Sequence, residues 1–258
     1  MGNAGHVYKV PGGYIARVAG TPEEFNTLDM TFWLTTDMGK SLSKEANGRE
    51  VTILNSKSSG RFILKRSKKE SLWRHLRLFF FGQSPCGGAV REARQRAALS
   101  AAGIKTEKAA VYGEVKTGFM QVRGFLLVPM VEGELFEDYW DAASAGEKNA
   151  LAYKYGELVG RMHAAGFLTA LRFKDIVVNA RGELVLIDRE CSRPGREFFM
   201  WKRSVRCIVR GYKRSVRNLF KIQLSVKIAA AFLTGLRRGL GAKKKYYRKI
   251  RLALIKSI

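Results

Sequence analysis

A lysine inside an apolar strand is costly unless its ammonium has a partner, and Lys65 lies within the strand-like run RFILKRS. Glu92, in the run AVREARQRAALSAAGI, is the acid that a helix packed on that strand would bring to it. Two further carboxylates follow, Asp175 in LRFKDIVVN and Asp188 at the end of ELVLID. The order and spacing of these four suit one ATP site. A lysine there holds phosphate oxygens, a glutamate orients the lysine, and two hard oxygen ligands bind Mg2+.

The pattern H-R-D-L-x-x-x-N, followed by a short hairpin and a metal-binding aspartate, marks the catalytic loop of protein kinases. Laid on it, Leu171 takes the Leu position, Asp175 the Asn position and Asp188 the second metal position. Ala170 then stands where the catalytic aspartate is expected, preceded by Thr169. Alanine can neither orient an acceptor hydroxyl nor take its proton. Asp175 and Glu190 are the nearest acids that could stand in. His163, just before the loop, reads as a helix-terminal or core histidine rather than a base. The run LLVPMVEG suits a hinge at which backbone groups near Met130 and Glu132 would meet adenine.

The elements that must position these residues can be read from periodicity. MTFWLTT, EVTILNS and RFILKRS have the β-branched and aromatic composition of strands, with KSSG as a turn between the last two. Val90, Ala93, Ala97 and Ala101 recur at helical spacing, with the arginines mainly on other faces, and Gly103 ends that helix. AAVYGEV and GFLLVPM read as two more strands. A helix is expected from about Gly146 to His163, then the strand pair IVVN and ELVLID, then basic amphipathic helices from Phe198 onward. A small antiparallel sheet with one helix, followed by a mostly helical part, is an α+β arrangement. The stretch GKSLSKEANG has glycines at 39 and 48 but no G-x-G-x-x-G.

These motifs resemble the bacterial lipopolysaccharide kinases that phosphorylate heptose or Kdo sugars of the inner core. The resemblance covers roughly residues 45–195. It rests on GRFILK with Lys65, AVREARQRAALSAAGI with Glu92, VPMVEGELFEDYW, GRMHAAGF and ELVLIDRE with Asp188. GYKRSV and KKKYYRK resemble the basic, Tyr-containing tail of a heptose kinase in that group. The resemblance implies a protein-kinase-like two-lobed fold with a small antiparallel-sheet N-lobe and a mostly helical C-lobe. The expected divisions are an N-terminal appendage over 1–30, the N-lobe over 31–128, the catalytic-loop part over 129–195 and a basic helical part over 196–258. It also implies ATP and Mg2+ as cofactors, a core-sugar acceptor and work at the cytoplasmic face of the inner membrane. With Ala170 at the base position, two functions remain open. One is a core-sugar kinase, the other a pseudokinase with a nucleotide-binding, regulatory or scaffolding role.

Charge narrows the partners. The 258 residues carry a net +25, which draws in polyanions. From Arg196 to Ile258 there are 19 Lys or Arg and one acid, Glu197. Arg206, Arg210, Lys213 and Arg217 recur three or four residues apart, and Lys243, Lys244 and Lys245 form a second cluster. A basic amphipathic helix suits an anionic membrane surface or the phosphates of lipopolysaccharide. Tyr246 and Tyr247 amid lysines could also stack on nucleic acid, but no helix-turn-helix, zinc-finger or RNA-binding signature accompanies them. Three widely spaced cysteines, Cys86, Cys191 and Cys207, give neither a disulfide framework nor a zinc site. The N-terminus lacks a signal-peptide core, His6 breaks a myristoylation pattern, and no apolar run is long enough to span a bilayer. A cytoplasmic protein, peripheral on the inner membrane, is expected.

Overall fold

A computed structural model describes residues 5–44, 49–75, 86–168, 170–187, 197–213, 225–241 and 247–255. The chain forms two compact units. The first takes residues 1–101 and 106–130, the second residues 102–105 and 131–258.

The first unit is built on a seven-stranded sheet in which every neighbouring pair is antiparallel. Its strands are β1 (His6–Val10), β2 (Gly13–Arg17), β3 (Lys40–Lys44), β4 (Arg49–Ser56), β5 (Gly60–Ser71), β6 (Val111–Gly118) and β7 (Gln121–Pro129). They run in the order β1-β2-β6-β7-β5-β4-β3. Alternation along β7 sorts the two faces. Phe125 and Leu127 join Ile15, Leu54, Phe62, Leu64 and Val111 in one buried cluster. Leu126 and Val128 point the other way and pack with Ala93 of the helix α2 (Gly88–Ala101). Lys65 pairs in register with Leu126 and shares its parity with Ile63, so the strand period places it on the helix-bearing face.

Two expectations for this unit change. MTFWLTT is not a strand but the helix α1 (Met30–Thr35). The Asp29 side chain caps it by accepting from the Thr31 N–H at 2.8 Å, which outweighs the β-branched composition. The helix seats Trp33 flat on Phe125, with centroids 4.9 Å apart and planes at 3°. The stretch expected as an N-terminal appendage supplies β1 and β2, which extend the sheet beyond β6. Gly12 at φ 74° makes the turn between them.

The second unit has a three-stranded sheet in the order β10-β9-β8. Its strands are β8 (Glu134–Leu135), β9 (Ile176–Val178) and β10 (Leu184–Leu186). Its described helices are α3 (Phe136–Ala142), α4 (Ala145–Ala164), α5 (Glu197–Tyr212), α6 (Val226–Leu240) and α7 (Tyr247–Ile255). A capping box starts α4: Ser144 accepts from the Glu147 N–H and the Glu147 carboxylate accepts from the Ser144 N–H. Gly156 and Gly160 of α4 meet Gly235 and Gly239 of α6 so closely that a Cβ on any of them would lie 2.0–2.6 Å from a carbonyl oxygen of the facing helix. Phe232, Leu236 and Leu240 of α6 are buried by this contact and its surroundings. No described helix is long and apolar enough to cross a membrane.

Candidate functional site

In the first unit, Lys65 Nζ lies 2.9 Å from Glu92 Oε1 and 3.3 Å from Oε2. Glu92 is also gripped from one turn further along α2. Arg96 Nε and Nη2 both donate to Oε1, at 3.0 and 2.8 Å. Arg96 is itself fixed by donating through Nη1 to the Glu107 carbonyl at 3.2 Å. The Glu92 and Arg96 side chains are 5% and 3% exposed and that of Lys65 is 19% exposed, so this carboxylate works largely out of water. Two cations on one buried carboxylate fix its direction. Arg96 was not singled out by sequence, where the α2 arginines were expected mainly on other faces; Arg91 and Arg96 are buried. Glu92 and Arg96 at i and i+4 were the available signal.

The start of α2 is held by two more carboxylates. Glu114 Oε2 accepts from the Gly87 N–H and Glu70 Oε2 from the Gly88 N–H, both at 2.8 Å. They satisfy donors that a helix start leaves open and place negative charge at the positive end of the dipole. Burial pushes the Glu114 carboxyl up from its ordinary value, with the Gly87 hydrogen bond and Arg94 opposing. A helix held in this way keeps Glu92 opposite Lys65.

In the second unit, the loop that carries Ala170 is pinned on two sides. Tyr155 on α4 donates its hydroxyl to the Leu171 carbonyl at 2.8 Å. Gly211 of α5 packs so close that a Cβ there would lie 3.0 Å from the same carbonyl oxygen and 3.5 Å from the Ala170 Cα. Residues Phe173–Asp175 form a 3-10 turn, and Phe173 is buried among Phe136, Trp140 and Tyr155. Asp175 is 2% exposed. Its carboxylate receives both arms of Arg172, Nε to Oδ2 at 2.9 Å and Nη2 to Oδ1 at 2.7 Å. Its carbonyl accepts from the Ile187 N–H at 2.9 Å, which ties the turn to the end of β10. His163 is buried, and desolvation pushes it down to about 3, as expected for a core histidine rather than a base working near neutrality.

The other candidate positions divide as follows. Asp188, Thr169, Glu190, Arg217, Lys243, Lys244, Lys245 and Tyr246 lie outside the described residues. Met130 ends the first unit and donates its N–H to the Arg61 carbonyl at 2.8 Å. Glu132 is exposed in the second unit. Arg206, Arg210 and Lys213 are exposed on α5 and its last turn, while Ile208 and Tyr212 are buried. Among the described residues no group of three or more His, Cys, Asp or Glu could hold a metal ion. Asp175, the described half of the expected Mg2+ pair, has each oxygen accepting from the Arg172 fork.

The chain matches known proteins at two levels. Its fold matches the structure of WaaP in complex with acyl carrier protein, with a TM-score of 0.55, 18% identity, and coverage of 85% of this chain and 89% of that one. At that identity the match shows the α+β, kinase-like fold. The acyl carrier protein is WaaP's partner there and was in no expectation drawn from the sequence. No curated protein matches the chain. The sequence pattern of the lipopolysaccharide kinase (Kdo/WaaP) family matches residues 35–226, most of the chain and the whole stretch from β3 to α5. The protein belongs to the lipopolysaccharide kinase (Kdo/WaaP) family.

Proposed function

We propose that the protein binds ATP and transfers its terminal phosphoryl group to an inner-core sugar of lipopolysaccharide, a heptose or Kdo, at the cytoplasmic face of the inner membrane. The observation that carries this reading is the 2.9 Å Lys65–Glu92 pair, braced by Arg96, on a strand and helix within the family-matched stretch. A lysine held in that way is placed to bind the α- and β-phosphates of a nucleotide. Kinases of this family generally use ATP and Mg2+.

Phosphoryl transfer depends chiefly on positioning and electrostatics. Without a carboxylate at Ala170 the chain lacks a general base worth about 10²–10⁴-fold in rate, so transfer is slow. A second reading, a pseudokinase that binds nucleotide without transferring phosphate, is favoured by Ala170 and by the closed Arg172–Asp175 pair.

The deciding experiment is transfer of γ-labelled phosphate from Mg-ATP to dephosphorylated core lipopolysaccharide. Expected are slow labelling that Lys65→Ala and Asp188→Ala abolish and an acceleration in Ala170→Asp. No transfer from folded protein that binds ATP sinks the kinase and leaves the pseudokinase. A folded protein that binds no ATP removes both.

A further inference from the structure

The Arg172–Asp175 pair sits within the loop that has lost its base. Asp175 takes the position where the kinase pattern puts an oxygen ligand for metal. The backbone makes the pairing local, because the Asp175 N–H donates to the Arg172 carbonyl at 3.1 Å and closes the turn. Arg172 is the extended residue that precedes the 3-10 turn, three positions before Asp175, and its guanidinium reaches both carboxylate oxygens. Phe173 locks the turn from beneath through its three aromatic neighbours. The pair lies at the edge of the unit, with the Asp175 side chain 2% exposed and that of Arg172 37%. Its carboxylate is buried and its fork is bidentate, at 2.7 and 2.9 Å.

A magnesium ion wants oxygen ligands at about 2.0–2.1 Å in near-octahedral array. A guanidinium fork engages both oxygens of a carboxylate in its own plane and brings one positive charge. It takes one lone pair on each Asp175 oxygen and sets a cation beside them, which repels a divalent ion from the same carboxylate. Displacing the arginine would first break a charge-assisted pair at a buried acid, which is among the costlier contacts to lose.

We propose that Arg172 stands in for a metal ion at Asp175. Nucleotide then binds with at most one divalent cation, and the guanidinium supplies the positive charge that a second ion would bring. The inference rests on the nucleotide-binding half of the proposed function and is indifferent to whether phosphate is transferred. Loss of the base at Ala170 and closure of Asp175 fall within six consecutive residues, so one loop carries both departures from the kinase pattern.

The test counts bound Mn2+ by electron paramagnetic resonance in the presence of a non-hydrolysable ATP analogue. The full chain is compared with Asp175→Asn, Arg172→Ala, Arg172→Gln and the double variant Arg172→Ala/Asp175→Asn. Expected is at most one ion in the wild type, with the same count in Asp175→Asn. An additional ion should bind at least tenfold more tightly in Arg172→Ala or Arg172→Gln than in the wild type and be lost in the double variant. A gained ion cannot arise from unfolding, and the glutamine variant keeps a polar partner for Asp175 should the alanine variant fold poorly. Two ions in the wild type, one of them lost in Asp175→Asn, overturns the inference alone. So does the absence of a gained ion in both Arg172 variants. Failure of every protein to bind the analogue overturns the proposed function and this inference with it.

Discussion

His163 shows how a single side chain can report on folding. It is buried near the end of α4, and desolvation holds its folded pKa at about 3, below the ordinary 6.5. Between those values the unfolded chain binds a proton that the folded chain refuses. This group's contribution is therefore complete above pH 6.5 and is lost as the pH falls toward 3. Relative to His163→Gln, the wild type should lose up to about 1.4 kcal/mol of stability per pH unit in that window. Urea denaturation of both proteins from pH 7 to pH 4 measures the difference, and parallel curves would refute the assignment. At this scale the sequence is legible where one residue is chemically out of place. Lys65 in an apolar strand demands an anion, and Glu92 meets it. Arg96 and Arg172 were not legible, because an arginine among 47 basic residues looks like any other until its partner is fixed in space. Both are defined by a neighbour three or four positions away on one turn, a spacing that surface pairs share.

Among the elements, the contact between α4 and α6 is the most exacting. A Cβ on Gly156 would sit 2.1 Å from the Phe232 carbonyl oxygen, which is backbone and cannot rotate aside. Gly156→Ala must therefore push the helices apart, and over-packing of this kind costs about 1–3 kcal/mol. Chemical denaturation should show a lower midpoint with an unchanged slope, whereas Gly146→Ala, where a Cβ meets nothing within 4 Å, should leave the midpoint in place or raise it. The positions of α2, α4, β4 to β7 and the three-residue pair β9–β10 were legible in the sequence, although in α2 the expected apolar face fails: Ala97 and Ala101 are exposed while Arg91 and Arg96 are buried. Two other elements were not legible. The β1 strand is largely exposed, so it carries no core pattern to read. The composition of α1 belongs to a strand, and only its Asp29 cap argues otherwise. The seam of glycines was invisible for a different reason: a glycine in a helix ordinarily weakens it, and its use emerges only with the partner helix in place.

For the molecule as a whole, the net charge of +25 sets the long-range field. Arg206, Arg210 and Lys213 are exposed, while Ile208 and Tyr212 face inward, so α5 carries charge outward and packs inward. We expect the chain to bind vesicles containing anionic lipid and to release them as salt rises. At about 1 kcal/mol per basic residue near such a surface, the Arg206→Gln/Arg210→Gln/Lys213→Gln triple variant should bind roughly 100-fold more weakly. Cosedimentation with anionic and neutral vesicles measures this, and equal binding to both would sink the idea. Duplex nucleic acid competing equally well without lipid would favour the nucleic-acid alternative.

The seam between α4 and α6 has one further consequence. The family pattern stops at residue 226, where α6 begins, yet α4 needs α6 to cover its glycine face. The basic end of the chain is therefore not a detachable appendix. A protease cut or premature stop near residue 225 would not release an intact body that has merely lost surface charge. It would remove half of a helix pair and leave a product for cellular quality control. Up to the end of α6, foldedness and surface charge are therefore inherited together.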